Sequence, residues 1–590
     1  MSRRKFLSLL GLLIGLFMLI ASRLAQLQLF ESKKYKELSR KNYLRVRNLY
    51  PPRGDIYDRN EEKVAYDIPK YVLSLDYKKL EDKDLEPLKK NLKKLFNIDL
   101  EEIIEKNSNG TDPLRLKEDL TPEDLNVYYT NSYKLPGVFV EVIPKRIYPN
   151  GRRLCHVIGY VGYPSRRELK RLKGRIAPRS FVGKLGIEKS MDDILLGDLG
   201  KEEVMINALG KVIKTLSRRE PIKGKSIVLT IDMRIQRIVE DVFNESGQPA
   251  GAVVLINAKT GEILALASFP GFDPNTVYRD WEKLRKNKLK PMFNRVTSGR
   301  YPPASVLKVP VSYAILETET ASAWDRVICN GSYFLGNRRF YCWNTYGHGS
   351  VNLIKALQDS CDVYYYTYGY DLGPSTMIRY ARKFGYGEKI PLEIPVKRGF
   401  LPTPEWKRRR FKEAWYDGDT VNLSIGQGYI LSTLLEQSLM MMGIANNGVI
   451  YKPTLIREIR DPSGKVLWRN KRKVWKVIKG KQEYFAIIRR GLREVVRRGT
   501  GTPAFSTIVD IAGKTGTAQV TLIKRGIKKR KKIPWKYRDH AWFIGFAPYR
   551  DPLFIIGVLV EHGESGGKVA APIARAIMER IYMAGLNKEL

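Results

Sequence analysis

The sequence predicts a mixed α/β (α+β) protein that begins with one apolar helix and ends in an antiparallel sheet flanked by helices at its N- and C-terminal ends. Three observations carry this prediction. Arg3, Arg4 and Lys5 precede an apolar run over residues 6–21. A helical pattern over residues 232–243 leads into two short apolar stretches, 252–256 and 262–267, around a turn at 257–261. Near the C-terminus three more strand patterns, 515–520, 541–546 and 554–560, precede a helical pattern over about 571–584. At 590 residues the chain divides into several domains, of which at least one buries a large interior.

The apolar run is near the lower length limit for a membrane span. Leu24, Ala25, Leu27, Leu29 and Phe30 extend its apolar face past Arg23, whose long side chain can reach the interface. Ala21 and Arg23 make a poor signal-peptide cleavage site, so the expectation is an uncleaved single-pass anchor in the cell's inner (cytoplasmic) membrane. The basic residues before it place the N-terminus in the cytoplasm and everything after about Phe30 outside. The net charge of +42 favours polyanions: nucleic acid, anionic headgroups or phosphate-bearing wall polymers. It equally fits a charge-rich surface of the kind thermophiles carry. No Cys/His finger repeat, basic zipper or aromatic RNA-binding signature accompanies the charge, and the placement outside the membrane removes nucleic acid as a partner.

Past the anchor, residues 51–60 are rich in turn formers. Residues 71–143 alternate short strand patterns with a charged helix at 85–96 and a polar loop at 107–112, as in a small inserted domain. Gly159, Gly162, Gly183, Gly186, Gly197, Gly200 and Gly210 punctuate residues 144–221, which read as loops joining short elements. Residues 227–231 form a strand candidate, and Asp232 stands where it can cap the helix that follows.

Ser305 and Lys308 lie three residues apart, so a helix beginning near Ser305 puts hydroxyl and amine on one face. The lysine can then deprotonate the serine, provided burial and nearby cations keep it neutral. The spacing alone is weak, because Ser2/Lys5 and Ser565/Lys568 share it. Lys514-Thr515-Gly516 also has a second copy, Lys259-Thr260-Gly261, which occupies the hairpin turn. The later copy opens a strand, continued by Thr517, where Gly516 leaves room for a substrate backbone. Ser360-Cys361-Asp362 lies between. The order S-x-x-K, S-x-D, K-T-G is the informative feature.

With these motifs the chain resembles the class B penicillin-binding proteins, within them the elongation-type (penicillin-binding protein 2) group. The resemblance extends to Arg53-Gly54-Asp55-Ile56-Tyr57-Asp58-Arg59, His156-Val157-Ile158-Gly159-Tyr160, Gly186-Ile187-Glu188, Gly426-Gln427-Gly428 and the segment from His540 to Pro548. It implies a cytoplasmic tip and anchor over 1–30, an elongated pedestal over 31–221 with an inserted head at about 67–143, and a transpeptidase domain over 222–590 with a five-stranded sheet. It implies a peptidoglycan D,D-transpeptidase of cell elongation, inhibited by β-lactams. Ser305 would be acylated by a D-Ala-D-Ala stem peptide, with Lys308 as base and Ser360 and Lys514 relaying the proton. Thr515 and Thr517 would hold the donor carboxylate beside Gly516, and backbone N–H groups of Ser305 and Thr517 would form the oxyanion hole. Asp362 replaces the Asn of the wider superfamily, and either contacts substrate or orients Lys308. The implied partner is a SEDS-family glycosyltransferase of the RodA type.

Cys329, Cys342 and Cys361 share a segment with His348, a ligand set suited to a structural zinc ion. A disulfide with one free thiol, or plain burial, are the other readings. The odd cysteine favours metal, and relatives in this group carry metal-ligand residues here. Residues 524–532 read as a basic loop that is either solvated or clamps an anionic lipid. Rival functions are a D,D-carboxypeptidase or β-lactamase of the same fold, and a scaffold that chiefly activates the glycosyltransferase.

Overall fold

The computed structural model describes residues 3–33, 44–76, 80, 82–106, 113–172, 174–177, 180–206, 212–520 and 534–589. The polar loop at 107–112 and the basic loop at 524–532 lie outside them. Helix α1 (Arg3–Ala25) runs on through one wider turn, Gln26–Phe30. Over Leu7–Phe30 it is apolar and wholly unburied, with a hydropathy of 2.2, which fits a single-pass anchor.

Next come β1 (Leu44–Leu49), β2 (Ile56–Tyr57), β3 (Lys63–Leu75), α2 (Asp82–Phe96), β4 (Leu114–Lys117) and β5 (Val138–Ile147). The outer end of β3 pairs with β4 and β5 and carries α2 on a small core of its own. Below it, β6 (Gly200–Ile206) lies between β1 and β7 (Val212–Arg219). A buried ionic network explains the Arg53 and Glu188 motifs. Arg53 reaches Glu188 at 2.7 Å and Asp192 at 2.9 Å, and Arg146 reaches Glu188 at 2.6 Å and Asp67 at 3.1 Å. Gly54 is required beside it, since a Cβ would lie 1.8 Å from the Lys225 carbonyl.

Strand β8 (Ser226–Leu229) leads to α3 (Met233–Glu245), whose N-terminus is capped by Asp232 accepting from the Arg234 N–H at 3.0 Å. The hairpin follows as β9 (Gly251–Asn257) and β10 (Ile263–Phe269). A helical section contains α4 (Lys308–Glu317), a small hairpin of β11 (Ser332–Leu335) and β12 (Arg338–Tyr341), then α5 (Asp362–Lys383) and α6 (Leu434–Ala445). Strands β13 (Ile456–Arg460) and β14 (Val466–Arg469) leave this section to extend the sheet of β3 in the order β14-β13-β8-β2-β3-β4. The strand at 227–231 therefore joins the N-terminal sheet rather than the C-terminal one, through a parallel pairing of β8 with β2.

The chain closes with β15 (Ala512–Ala518), β16 (His540–Ala547), β17 (Phe554–Val560) and α7 (Ala571–Met583). The five-stranded sheet has the order β10-β9-β17-β16-β15, antiparallel throughout. The two-residue period of its strands divides the core. Val253, Leu255, Phe543 and Val558 face α3 and α7, whereas Ala252, Val254, Trp542 and Leu559 face α4 and α6. Both faces are covered, so the sheet is a rigid wall, and its β15 edge faces the turn that carries Ser305.

Candidate active site

Ser305 sits in a single 3₁₀ turn, Ala304–Val306, that feeds directly into α4. The chain reaches this turn through Ala304, a non-glycine residue at φ +50°. That conformation is costly and is held by the Ala304 N–H donating to the Gly426 carbonyl at 2.9 Å. Gly426, itself at φ +73°, is the residue that can approach so closely, because a Cβ there would lie 2.1 Å from the Ala304 carbonyl. The turn leaves the serine part-exposed and sends Lys308 into the interior, where it is fully buried.

Lys308 Nζ donates to Asp362 Oδ1 at 2.6 Å, to the Ser360 carbonyl at 2.9 Å and to Ser360 Oγ at 3.3 Å. Ser360 is a second strained residue, at φ +52°, in the bend before α5. Asp362 opens α5, where a carboxylate suits the helix dipole, and its other oxygen accepts from the Trp343 N–H at 2.9 Å. With one oxygen on Lys308 and the other on a backbone amide, Asp362 is arranged to orient the lysine.

Lys514 is fully buried at the centre of β15 and donates to the Thr515 carbonyl at 3.2 Å. Burial, and next the positive charge of Lys308, push its pKa well below the ordinary lysine range, against the opposing pull of Asp362 and Asp359. Lys308, in turn, is held by Asp362 Oδ1 at 2.6 Å. The strand begins at Ala512, two residues before the Lys-Thr-Gly triplet expected to open it. Ala512 and Gly513 carry no strand pattern and join the sheet through register with Phe546 and Gly545.

Gly516 lets the strand lie against the serine turn, since a Cβ there would be 3.2 Å from Val306 Cγ2 and 3.4 Å from the Pro303 carbonyl. Trp542 Nε1 donates to the Pro302 carbonyl at 3.2 Å, tying β16 to the same turn. Thr515 Oγ1 meets Thr500 Oγ1 at 2.7 Å. Thr517 Oγ1 accepts from the Gly566 N–H at 3.4 Å, and the Thr517 carbonyl accepts from Gln427 Nε2 at 3.2 Å. Thr500 and Trp343 were not singled out as site residues by sequence, and Gln427 only as part of a family motif. Each acts through long-range hydrogen bonds that leave no local pattern. The decoys resolve as structure: Ser565 caps a turn by accepting from the Lys568 N–H at 3.4 Å, and Lys259 lies in the hairpin turn.

Cys329, Cys342, His348 and Cys361 converge, with ligand atoms all within 4.8 Å of one another, and could hold a metal ion. All four cysteines of the chain are unpaired thiols. His348 Nδ1 lies 3.6 Å from Cys329 Sγ and 3.5 Å from Cys342 Sγ. A tetrahedral ion with bonds of about 2.3 Å needs sulfurs about 3.8 Å apart, so the cluster is the right size. The Cys342 thiol is pulled below its ordinary range, first by a hydrogen bond from Cys361, against burial, and then by His348 and the Asp362 N–H. The Asp362 N–H reaches Cys342 Sγ at 3.4 Å, so the cluster borders the carboxylate that holds Lys308.

The family model for the penicillin binding protein transpeptidase domain matches residues 251–579, and that for the penicillin-binding protein dimerisation domain matches residues 48–229. The chain is 34% identical to the peptidoglycan D,D-transpeptidase MrdA of Haemophilus influenzae, over 98% of this chain and 91% of the relative. Its fold matches the penicillin-binding protein PBP2 solved in complex with MreC from Helicobacter pylori, at 28% identity and a TM-score of 0.80, over 92% of this chain and 100% of that one. A chain of a peptidoglycan synthase complex, solved for the coordination of polymerization and crosslinking, matches at 28% identity and a TM-score of 0.72 over 98% of both. Alike along its whole length to these relatives, with its three motifs gathered at the edge of one sheet, the chain belongs to the penicillin-binding proteins, in their MrdA (PBP2) branch.

Proposed function

We propose that this protein is a membrane-anchored peptidoglycan D,D-transpeptidase of cell elongation, inhibited by β-lactams. The observation that carries the reading is the convergence of Lys308, Ser360, Asp362 and the buried Lys514 on the turn that presents Ser305. Ser305 Oγ attacks the carbonyl carbon of the penultimate D-Ala and gives its proton to Lys308. The C–N bond to the terminal D-Ala breaks, and Ser360 and Lys514 return a proton to the departing amine. Burial, which lowers the pKa of Lys514 well below the ordinary lysine range, makes its protonated form a readier donor in that relay. Backbone N–H groups of Ser305 and Thr517 stabilise the oxyanion, and Thr515 and Thr517 hold the donor carboxylate along Gly516. The amine of a second stem peptide then attacks the ester carbonyl, and Ser305 regains its proton. Labelling with a fluorescent penicillin followed by peptide mapping should place the adduct on Ser305; an adduct elsewhere overturns the assignment.

The domain plan is a tip and anchor over 1–30, a pedestal over 31–221 with its head at 67–143, and a transpeptidase domain over 222–590. The N-terminus lies in the cytoplasm and the catalytic domain beyond the inner membrane. A SEDS-family, RodA-like glycosyltransferase binds through the anchor and pedestal. The bare apolar helix α1 and the likeness to a chain of a peptidoglycan synthase complex support this. The likeness to a PBP2 solved with MreC supports a second contact on the same chain. Cys329, Cys342, His348 and Cys361 would hold a structural zinc ion, which would brace the bend that carries Ser360. Metal analysis and penicillin labelling of Cys342→Ala test this. Loss of zinc with weakened labelling is expected, and full zinc with full labelling would sink it.

A further inference from the structure

The hairpin of β11 and β12 has two unlike faces. Phe340, 7% exposed, and Tyr333 point inward, with rings 5.9 and 6.0 Å from that of Tyr366 on α5. The register pairs Phe334 with Arg339 and Ser332 with Tyr341, so the pleat sets Phe334, Arg339 and Tyr341 together on the outer face. There the Arg339 guanidinium is sandwiched, 5.2 Å from the Phe334 ring centre and 4.9 Å from that of Tyr341. Phe334 is 65% exposed, and no salt bridge occupies Arg339 among the described residues.

The row continues through the chain into the catalytic rim. Trp343, two residues after Tyr341, is 60% exposed, yet its orientation is fixed. Its N–H donates to Asp362 Oδ2, and its indole Nε1 donates to the carbonyls of Asp359 and Ser360 at 3.0 and 3.1 Å. The Ser360 carbonyl is the one that holds Lys308. Tyr346, 97% exposed, stands three residues further on. Four large aromatic side chains held out in water beside a catalytic serine are not explained by packing.

We propose that this face, Phe334, Arg339, Tyr341, Trp343 and Tyr346, is a binding surface for the glycan strand whose stem peptide is engaged at Ser305. The inference rests on the transpeptidase reading for its choice of polymer. Flat C–H faces of sugar rings pack on exposed aromatic rings, and an unpaired guanidinium between them suits the lactyl oxygens of the glycan itself, which remain when the peptides are removed. A stem peptide that reaches Ser305 brings its glycan to the adjoining surface, and Trp343 joins the two sites. Rings alternating with a cation along an outer hairpin face, exposed rather than packed, fit the repeating rings of a polysaccharide.

The test is co-sedimentation of the full chain, in detergent, with purified sacculi and with the same glycan stripped of its peptides by an amidase. The wild type should bind both. Phe334→Ser combined with Arg339→Gln should weaken binding to the stripped glycan about tenfold, and Tyr346→Ser about threefold. Tyr346 is too exposed for its loss to unfold the chain, so its result stands if the double variant is unstable. Wild-type binding that needs the peptides, or equal binding by wild type and both variants, overturns the proposal. Variants that keep glycan binding but lose a co-purifying membrane polymerase would make the face a protein contact, and overturn it as well. Penicillin labelling of the same wild-type sample reads the transpeptidase assignment separately, so a chain that labels at Ser305 but ignores glycan rejects this inference alone.

Discussion

Lys259-Thr260-Gly261 and Lys514-Thr515-Gly516 are the same three residues in opposite surroundings. The first occupies the β9–β10 turn, where Asn257 Oδ1 accepts from the Lys259 and Thr260 N–H groups at 2.9 and 3.2 Å. The Lys259 ammonium is 47% exposed and pairs with Asp551 at 2.6 Å. The second lies inside β15, with its amine fully buried and a second lysine close by. The glycines differ as much. Gly261 is needed for its backbone, at φ +80° with a Cβ position 2.4 Å from the Lys452 carbonyl, whereas Gly516 is needed for its missing side chain against the serine turn. A triplet becomes chemistry when neighbouring elements deny its amine water, and that denial is a cost the fold has to carry.

The sharpest way to break this comparison is to replace each lysine by methionine. For Lys514 the sign is fixed by its depressed pKa. Between its folded value and the ordinary lysine value the unfolded chain holds the extra proton, so stability rises with pH across that window. Lys514→Met should flatten this dependence and raise the melting temperature near neutral pH by about 2–4 °C. It should also slow acylation by penicillin by about 10³-fold. Lys259→Met should leave acylation unchanged and shift stability by less than about 0.5 kcal/mol, since an exposed pair contributes little. Equal responses of the two variants, in either assay, would refute the assignment.

Much of this contrast was legible in the sequence. The hairpin, the Asp232 cap, the closing strands and the order of the three motifs follow from local periodicity and turn chemistry. What the sequence hid is long-range. The start of β15 at Ala512 depends on pairing with Phe546, and β8 joins the N-terminal sheet through a parallel partner about 170 residues away, Ile56. The partners of the two lysines were also out of reach. Lys308 meets Asp362 and Ser360 across a separation of more than 50 residues, and Lys514 is buried by elements that share no local pattern with its strand.

Exchanging the glycines sharpens the comparison at the next level. Gly516→Ala should keep the fold and slow acylation about tenfold to a hundredfold, because Val306 and Trp542 must give by a few tenths of an ångström, and Val306 carries the serine turn with it. Gly261→Ala should do the reverse. The residue at φ +80° and the collision with Lys452 cost about 2–4 kcal/mol of stability, with acylation per folded molecule unchanged. Denaturant melts paired with acylation rates on the folded fraction read both. Loss of stability in the first variant, or of intrinsic rate in the second, would show that the two glycines are not doing different jobs.

The last contrast concerns pH, and it should reach one copy of the triplet only. His540 lies opposite Ala518 at the end of β15, packed against Tyr301 with ring centres 4.9 Å apart, and its Nδ1 accepts from the His562 N–H at 3.0 Å. Burial first, and His562 second, lower its pKa to about 4. A histidine depressed on folding adds stability above its unfolded value, about 6.5, and that contribution is lost as pH falls towards 4. The loss amounts to at most about 3 kcal/mol. His540→Asn keeps an oxygen acceptor near the position of Nδ1 and removes the titration. Thermal melts between pH 8 and 4 should therefore show a steeper acid decline in the wild type than in the variant, with acylation following it. Among the described residues no histidine hydrogen-bonds to the β9–β10 turn, so exchange of its amides should not change with pH beyond the intrinsic rate. Parallel acid declines in wild type and variant would mean that His540 does not couple the Lys514 strand to pH.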